Sequence, residues 1–60
     1  MASDVEYFSK RAQEERQAAL RTGDTHVRDI HLQLADAYED RLRQLSAEAR
    51  RLGIHLVSAA

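Results

Sequence analysis

The sequence predicts an all-α fold, a two-helix antiparallel hairpin. Apolar residues recur at helical spacing over two segments, proline is absent, and Gly23 and Gly53 are the only two glycines. Gly23 separates the two segments, and a connection this short makes consecutive helices antiparallel neighbours. We therefore expect a helix over about residues 4–21, a turn over 22–25 and a longer helix over about 26–52.

Capping residues define the ends of both predicted helices. Ser3 precedes the first apolar-periodic residue and Glu6 follows three positions later, which is the spacing of a capping box. Gly23 is expected to end the first helix in a left-handed conformation. Asp24 or Thr25 is expected to cap the second helix, whose glycine stop is Gly53.

An apolar stripe follows one side of each helix, and the two stripes can be aligned. The first comprises Val5, Phe8, Ala12 and Ala19; the second comprises Val27, Ile30, His31, Leu34, Tyr38, Leu42, Leu45, Ala49 and Leu52. A turn near residue 23 pairs positions whose numbers sum to about 46. This register places Ala19 against Val27, Ala12 against Leu34 and Phe8 against Tyr38, so that small residues face large ones.

The same register brings together the two polar residues that interrupt these stripes. Glu15 then meets His31, and Arg11, one turn before Glu15, can join them. A pair of this kind sets hairpin register or oligomeric state, because any slip leaves a buried group without its partner. The alternative is a metal site built from Glu15 and His31 of two chains. The Glu-x-x-His motif of helical di-iron bundles is missing, since Arg28 stands three residues before His31.

The length of the chain predicts one domain that associates with itself. Residues 1–60 are read as a single hairpin domain with a short apolar tail over 54–60. A chain this short buries little of its surface, and without cysteine it has no disulfide to compensate. The second helix also outreaches the first. We expect its excess apolar residues to form an oligomer interface, in a homodimer that makes a four-helix bundle. These residues are Leu42, Leu45, Ala49 and Leu52.

Composition and charge disfavour several classes of function for this chain. Nine basic against ten acidic residues give a net charge of −1, so no overall field attracts nucleic acid or an anionic membrane. No apolar run approaches a membrane span of about 20 residues, and the start of the chain does not resemble a signal peptide, which predicts a cytoplasmic protein. No cofactor and no enzyme activity are expected, because two helices do not give a serine the base and oxyanion pocket it needs.

The residues Tyr7, Phe8, Arg11, Ala12 and Glu15 form the pattern Y-F-x-x-R-A-x-x-E, and a second pattern, H-x-x-L-A-x-x-Y, extends from His31 to Tyr38. Together they resemble short uncharacterised bacterial proteins predicted to be helical hairpins. The resemblance covers residues 7–38 and implies a recurring hairpin unit, with no activity attached. The hairpin with its excess apolar surface, and not the resemblance, leads us to expect an interaction or assembly module that binds itself, with another protein as a further candidate partner. An RNA-binding hairpin dimer and a metal-binding bundle remain the alternatives.

Overall fold

The computed structural model describes residues 3–53, which form two helices packed against each other. Helix α1 comprises Asp4–Arg21 and helix α2 comprises Thr25–Arg51. The helices are antiparallel: the ring centroids of Phe8 and Tyr38 lie 5.9 Å apart near one end, and Glu15 meets His31 closer to the turn. The predicted all-helical pair is therefore confirmed, with bounds within one residue of those expected.

Both predicted N-terminal caps are present. The hydroxyl of Ser3 accepts a hydrogen bond from the backbone N–H of Glu6 at 3.1 Å. The Oδ1 atom of Asp24 accepts from the N–H groups of His26 and Val27, so Asp24 and not Thr25 caps α2. Each cap satisfies donors that the first turn of a helix leaves without a partner. Asp24 therefore fixes where the chain re-enters a helix after the turn.

The predicted left-handed stop at Gly23 is wrong. Helix α1 ends at Arg21, and its C-cap is Thr22, whose extended backbone has φ −88° and ψ 139° and whose N–H donates to the carbonyl oxygen of Ala18. Within residues 3–53, Gly53 alone has positive φ, at 73°. The turn is held by side chains instead, because the Thr22 hydroxyl accepts from the N–H of Asp24 and Arg28 donates to the Thr22 carbonyl.

The contact between the helices is made chiefly of alanine. Ala12, Ala19 and Ala35 are each at most 3% exposed, and Glu15 is buried among them. Small side chains let two helical backbones approach closely, which leaves little room for large residues between them. Accordingly, no large apolar side chain in the described part of the chain is fully buried. The core of a single hairpin is thin.

The expected pairing of Ala12 with Leu34 is wrong in detail. Leu34 is 41% exposed, whereas its neighbour Ala35 is 1% exposed. Val27, expected against Ala19, is 36% exposed. One position along a helix is a rotation of about 100°. The line of contact on α2 therefore runs through His31, Ala35 and Tyr38, and the larger aliphatic residues lie on the edges of the hairpin.

Helix α2 extends past the beginning of α1, as predicted. At 18 and 27 residues the helices are about 27 Å and 40 Å long. The register that joins Glu15 to His31 places Asp4 level with about Leu42, so α2 continues for about 14 Å beyond this point. We call residues 43–52 the overhang. The apolar tail predicted over 54–60 lies outside the described residues.

Candidate functional site

The structure brings Glu15, His31 and Arg11 together at one edge of the helix contact. The Nδ1 atom of His31 lies 3.0 Å from Oε1 of Glu15, and a guanidinium nitrogen of Arg11 lies 3.5 Å from Oε2 of the same carboxylate. The Glu15 side chain is 8% exposed, whereas His31 and Arg11 are partly open to water. One buried carboxylate is therefore bound by two nitrogen-bearing side chains, one from each helix.

Arg11 connects this pair to neighbouring residues. Its Nε atom donates to the Tyr38 hydroxyl at 3.4 Å, and another of its nitrogens lies 2.8 Å from Glu14. The guanidinium also lies over the Tyr38 ring, 5.5 Å from the centroid. Two hydrogen bonds raise the pKa of the Arg11 guanidinium above its ordinary value, and the one to Tyr38 contributes more than the one to Glu14. Arg11 is therefore a permanent cation that ties both helices together.

As a metal site this cluster is incomplete within one chain. Among residues 3–53, no three histidine or acidic side chains lie close enough together to hold a metal ion. Glu15 and His31 provide two donor atoms, and the third member of the cluster is a cation that repels metals. A metal site at this edge would need further ligands from a second chain.

A second ion pair joins the helices at the opposite edge of the contact. Arg16 of α1 binds Glu39 of α2, and this hydrogen bond raises the pKa of Arg16 above its ordinary value. Beside this pair lies an open cleft of about 220 Å³. Its lining is formed by Arg16, Ala19, Leu20, Arg28 and Leu32. Leu20 is 86% exposed, so the cleft is shallow and open to water.

Exposed aliphatic side chains follow α2 along the edge that carries His31. Val27, Ile30 and Leu34 are each more than a third exposed. Their spacing of three and four residues places them on one side of the helix. Leu32 belongs to the cleft on the other edge, since two helical positions are about 200° apart. The two edges of the hairpin thus present separate apolar surfaces.

The four residues predicted to form an oligomer interface differ in their surroundings. Leu42 and Leu45 are half-buried, and Leu52 is 67% exposed. Ala49 is only 7% exposed within one chain, so it has little surface left to offer a partner. Of the predicted set, Leu45 and Leu52 retain apolar surface on the edge that carries Leu34. Their interface role stays a prediction.

The arginines of the overhang and its approach are largely occupied by neighbouring side chains. Arg43 binds Asp40, and Arg41 donates to Gln44 at 2.7 Å while lying over the Phe8 ring. Arg50 and Arg51 lie in the last turn of α2, where cations interact favourably with the helix dipole. Arg41 and Arg43 therefore have partners within the chain, and the RNA-binding alternative stays a prediction.

Neither the protein-family models, the curated proteins nor the solved structures contain a significant match to this chain. The resemblance to bacterial hairpin proteins therefore stays a prediction. Within residues 3–53, neither helix is long and apolar enough to cross a membrane.

Sequence reasoning missed the interhelical ion pair and the cleft beside it. Arg16 and Glu39 sum to 55, well away from the pairing sum of 46. They meet because every helical side chain leans toward the N-terminus of its own helix, so two long side chains on antiparallel helices reach toward each other. That lean is a general rule, and applied to Arg16 it could have identified Glu39 as a partner.

Proposed function

We propose that this chain is a small non-enzymatic interaction or assembly module that acts as a helical-bundle homo-oligomer. The observation that supports the proposal most directly is the composition of the core. The fully enclosed positions between the helices are alanines and Glu15, whereas Val27, Ile30 and Leu34 remain more than a third exposed. The residues with the most apolar surface to bury are those that one chain leaves in water.

The energetic argument follows from side-chain size. Complete burial of a Val, Leu or Ile side chain contributes about 1.5–3 kcal/mol, and an alanine contributes far less. A domain of this length is already marginal, because conformational entropy opposes nearly all of the stabilisation that burial provides. Covering the exposed aliphatic residues of α2 with another chain would supply the missing core. A second identical chain is the simplest partner that does so in a closed assembly.

The Glu15–His31–Arg11 cluster supports the same proposal through specificity. Its carboxylate is buried and bound from both helices, so shifting one helix along the other would strand a charge in the contact. An assembly module needs a fixed hairpin to present a fixed surface. In this proposal the cluster sets the register, and the aliphatic edge of α2 binds the partner.

The test is the mass and thermal stability of the untagged chain over a wide range of concentrations. Dissociation is coupled to unfolding in an assembly of this kind, so the melting temperature should rise with protein concentration. Native mass spectrometry, without chelator or added metal, should give a homo-oligomer of unmodified chains. A monomer at every concentration, with a constant melting temperature, would contradict the proposal.

The same spectrum distinguishes the two alternative functions. A metal-binding bundle would retain stoichiometric metal, which the His31→Ala variant would lose. An RNA-binding bundle would co-purify with nucleic acid whose affinity falls steeply with salt. Either result would replace the proposal of a simple interaction module.

A further inference from the structure

Four apolar residues on the edge of α2 that carries His31 have a symmetric spacing along the chain. Seven positions separate Val27 from Leu34, eleven separate Leu34 from Leu45, and seven separate Leu45 from Leu52. The midpoint of this series lies between Glu39 and Asp40. Read in either direction, the helix therefore presents the same order of apolar positions. We call these four residues the α2 stripe.

The α2 stripe also lies on one side of the helix. Val27 and Leu45 are 18 residues apart, as are Leu34 and Leu52, and 18 residues make about five whole turns. The two pairs differ in direction by only about 20°. Three of the four residues are more than a third exposed, and Leu45 is half-buried. Apolar surface on this side of the helix thus lies toward both ends, with Tyr38 and Arg41 between the two halves.

We propose that two copies of this chain pair through α2 in antiparallel orientation, with a two-fold axis level with residues 39 and 40. This inference rests on the proposed function and adds the surface and register of the interface. In this register the numbers of facing residues sum to 79. Leu34 of each chain meets Leu45 of the other, and Val27 meets Leu52.

The lengths of the two helices favour this arrangement. Helix α1 extends along α2 only as far as about Leu42, so no α1 residue is level with the overhang, in which Ala49 is 7% exposed and Leu52 is 67% exposed. In the antiparallel pair, the overhang of each chain lies along the partner's Val27, Ile30 and Leu34, which are the aliphatic residues that α1 leaves exposed. In the proposed dimer each chain thereby covers exposed aliphatic residues of the other. An isologous interface requires this kind of self-complementarity.

The residues nearest the axis are compatible with close approach. Tyr38 and Arg41 occupy the two sides of the midpoint and face each other across the dimer in this register. The Arg41 guanidinium is directed to its own Phe8 ring and to Gln44, so in the proposed dimer the partner would contact its aliphatic stem. Packing of this stem on the partner's tyrosine ring buries apolar surface while the charged group stays in water.

Disulfide trapping tests the register, since the chain has no cysteine of its own. The double variant Leu34→Cys/Leu45→Cys should form a covalent dimer under mild oxidation. These positions are about 16 Å apart along one helix, too far for a bond within a chain. The matched control is Leu32→Cys/Arg43→Cys, which has the same spacing of eleven on the opposite edge of α2. It should stay unlinked at the same concentration.

Two further variants control for misfolding and for a different pairing of the helices. Val27→Cys/Leu52→Cys tests the same register at its ends, in case cysteine at 34 and 45 impairs folding. Leu34→Cys alone should not crosslink, because in this register the two copies of position 34 are about 16 Å apart along the direction of the helices. If the chain forms an oligomer but the control pair, or Leu34→Cys alone, crosslinks as well as Leu34→Cys/Leu45→Cys, the proposed register is wrong. The proposed function would still stand in that case. A parent chain that stays monomeric would overturn both.

Discussion

Glu15 and His31 share a hydrogen bond across the two helices, with Nδ1 of His31 3.0 Å from Oε1 of Glu15. The carboxylate is nearly enclosed, and Arg11 approaches its second oxygen. The buried neighbours of this carboxylate in the contact are the alanines Ala12, Ala19 and Ala35. Because the Glu15 carboxylate is buried, a shift of one helix along the other would carry a large electrostatic penalty at this pair.

Replacing Glu15 with alanine should destabilise the fold. The change removes the shared acceptor of His31 and Arg11 and leaves a cavity in the contact, so we expect the free energy of unfolding to fall by about 1–3 kcal/mol. Urea denaturation at fixed protein concentration measures the change. Glu14→Ala is the matched control, because Glu14 also binds Arg11 but is exposed. It should change stability by less than about 0.5 kcal/mol. If both variants lowered the free energy of unfolding by the same amount, the proposed role of Glu15 in setting the register would be contradicted.

Enlarging the alanine contact should also destabilise the hairpin. Ala35 is 1% exposed, and leucine at this position would push the helices apart or adopt a strained rotamer, at about 1–3 kcal/mol. Ala47→Leu adds the same atoms on an exposed side of α2 and should be nearly neutral. Thermal melts of both variants, followed by circular dichroism, give the comparison. A melting temperature for Ala35→Leu at or above the parental value would show that the helices are not held close at this point.

The sequence predicts the helices and their register because both depend on local rules. Ser3 and Asp24 are recognisable caps, and the coincidence of Glu15 with His31 identifies the register. The sequence does not predict how deeply each apolar side chain is buried, because burial depends on how closely the two helices approach each other. Periodicity places Leu34 at the centre of the contact, but alanines on both helices allow a close approach that displaces it to the edge. The prediction for Gly23 is wrong for a local reason, since Thr22 already ends α1 in an extended conformation and Gly23 does not adopt positive φ.

The two glycines should respond in opposite ways to substitution by alanine. Gly53 has φ 73°, a conformation that costs a residue with a side chain about 1–2 kcal/mol, so Gly53→Ala should reduce the helicity of the last turn of α2. Gly23 lacks positive φ, and a methyl group added there meets open space. Gly23→Ala should leave the free energy of unfolding unchanged or raise it by up to about 1 kcal/mol, because alanine lowers the conformational entropy of the unfolded chain. Circular dichroism with urea titration measures both. Loss of stability in Gly23→Ala alone would contradict the described turn.

A charge on the α2 stripe should weaken the assembly. Leu34→Glu places two carboxylates in the two-fold interface and removes two leucines from it, so we expect the dissociation constant to rise at least about 100-fold. Leu32→Glu is the control, because Leu32 has the same exposure as Leu34 on the opposite edge and lies beside Arg16 and Arg28 in the cleft. Sedimentation velocity over a dilution series gives both constants. If Leu32→Glu weakens association and Leu34→Glu does not, the interface lies on the cleft edge instead.

Self-association is the central claim, and the mass of the untagged chain in solution tests it most directly. Sedimentation equilibrium at several protein concentrations should give a species of twice the 6.8 kDa chain mass, which dissociates only on dilution. A species of the single-chain mass at every concentration, with the helical content of the folded hairpin, would contradict the claim. It would show that an alanine contact and one buried Glu–His pair suffice to hold the two helices together.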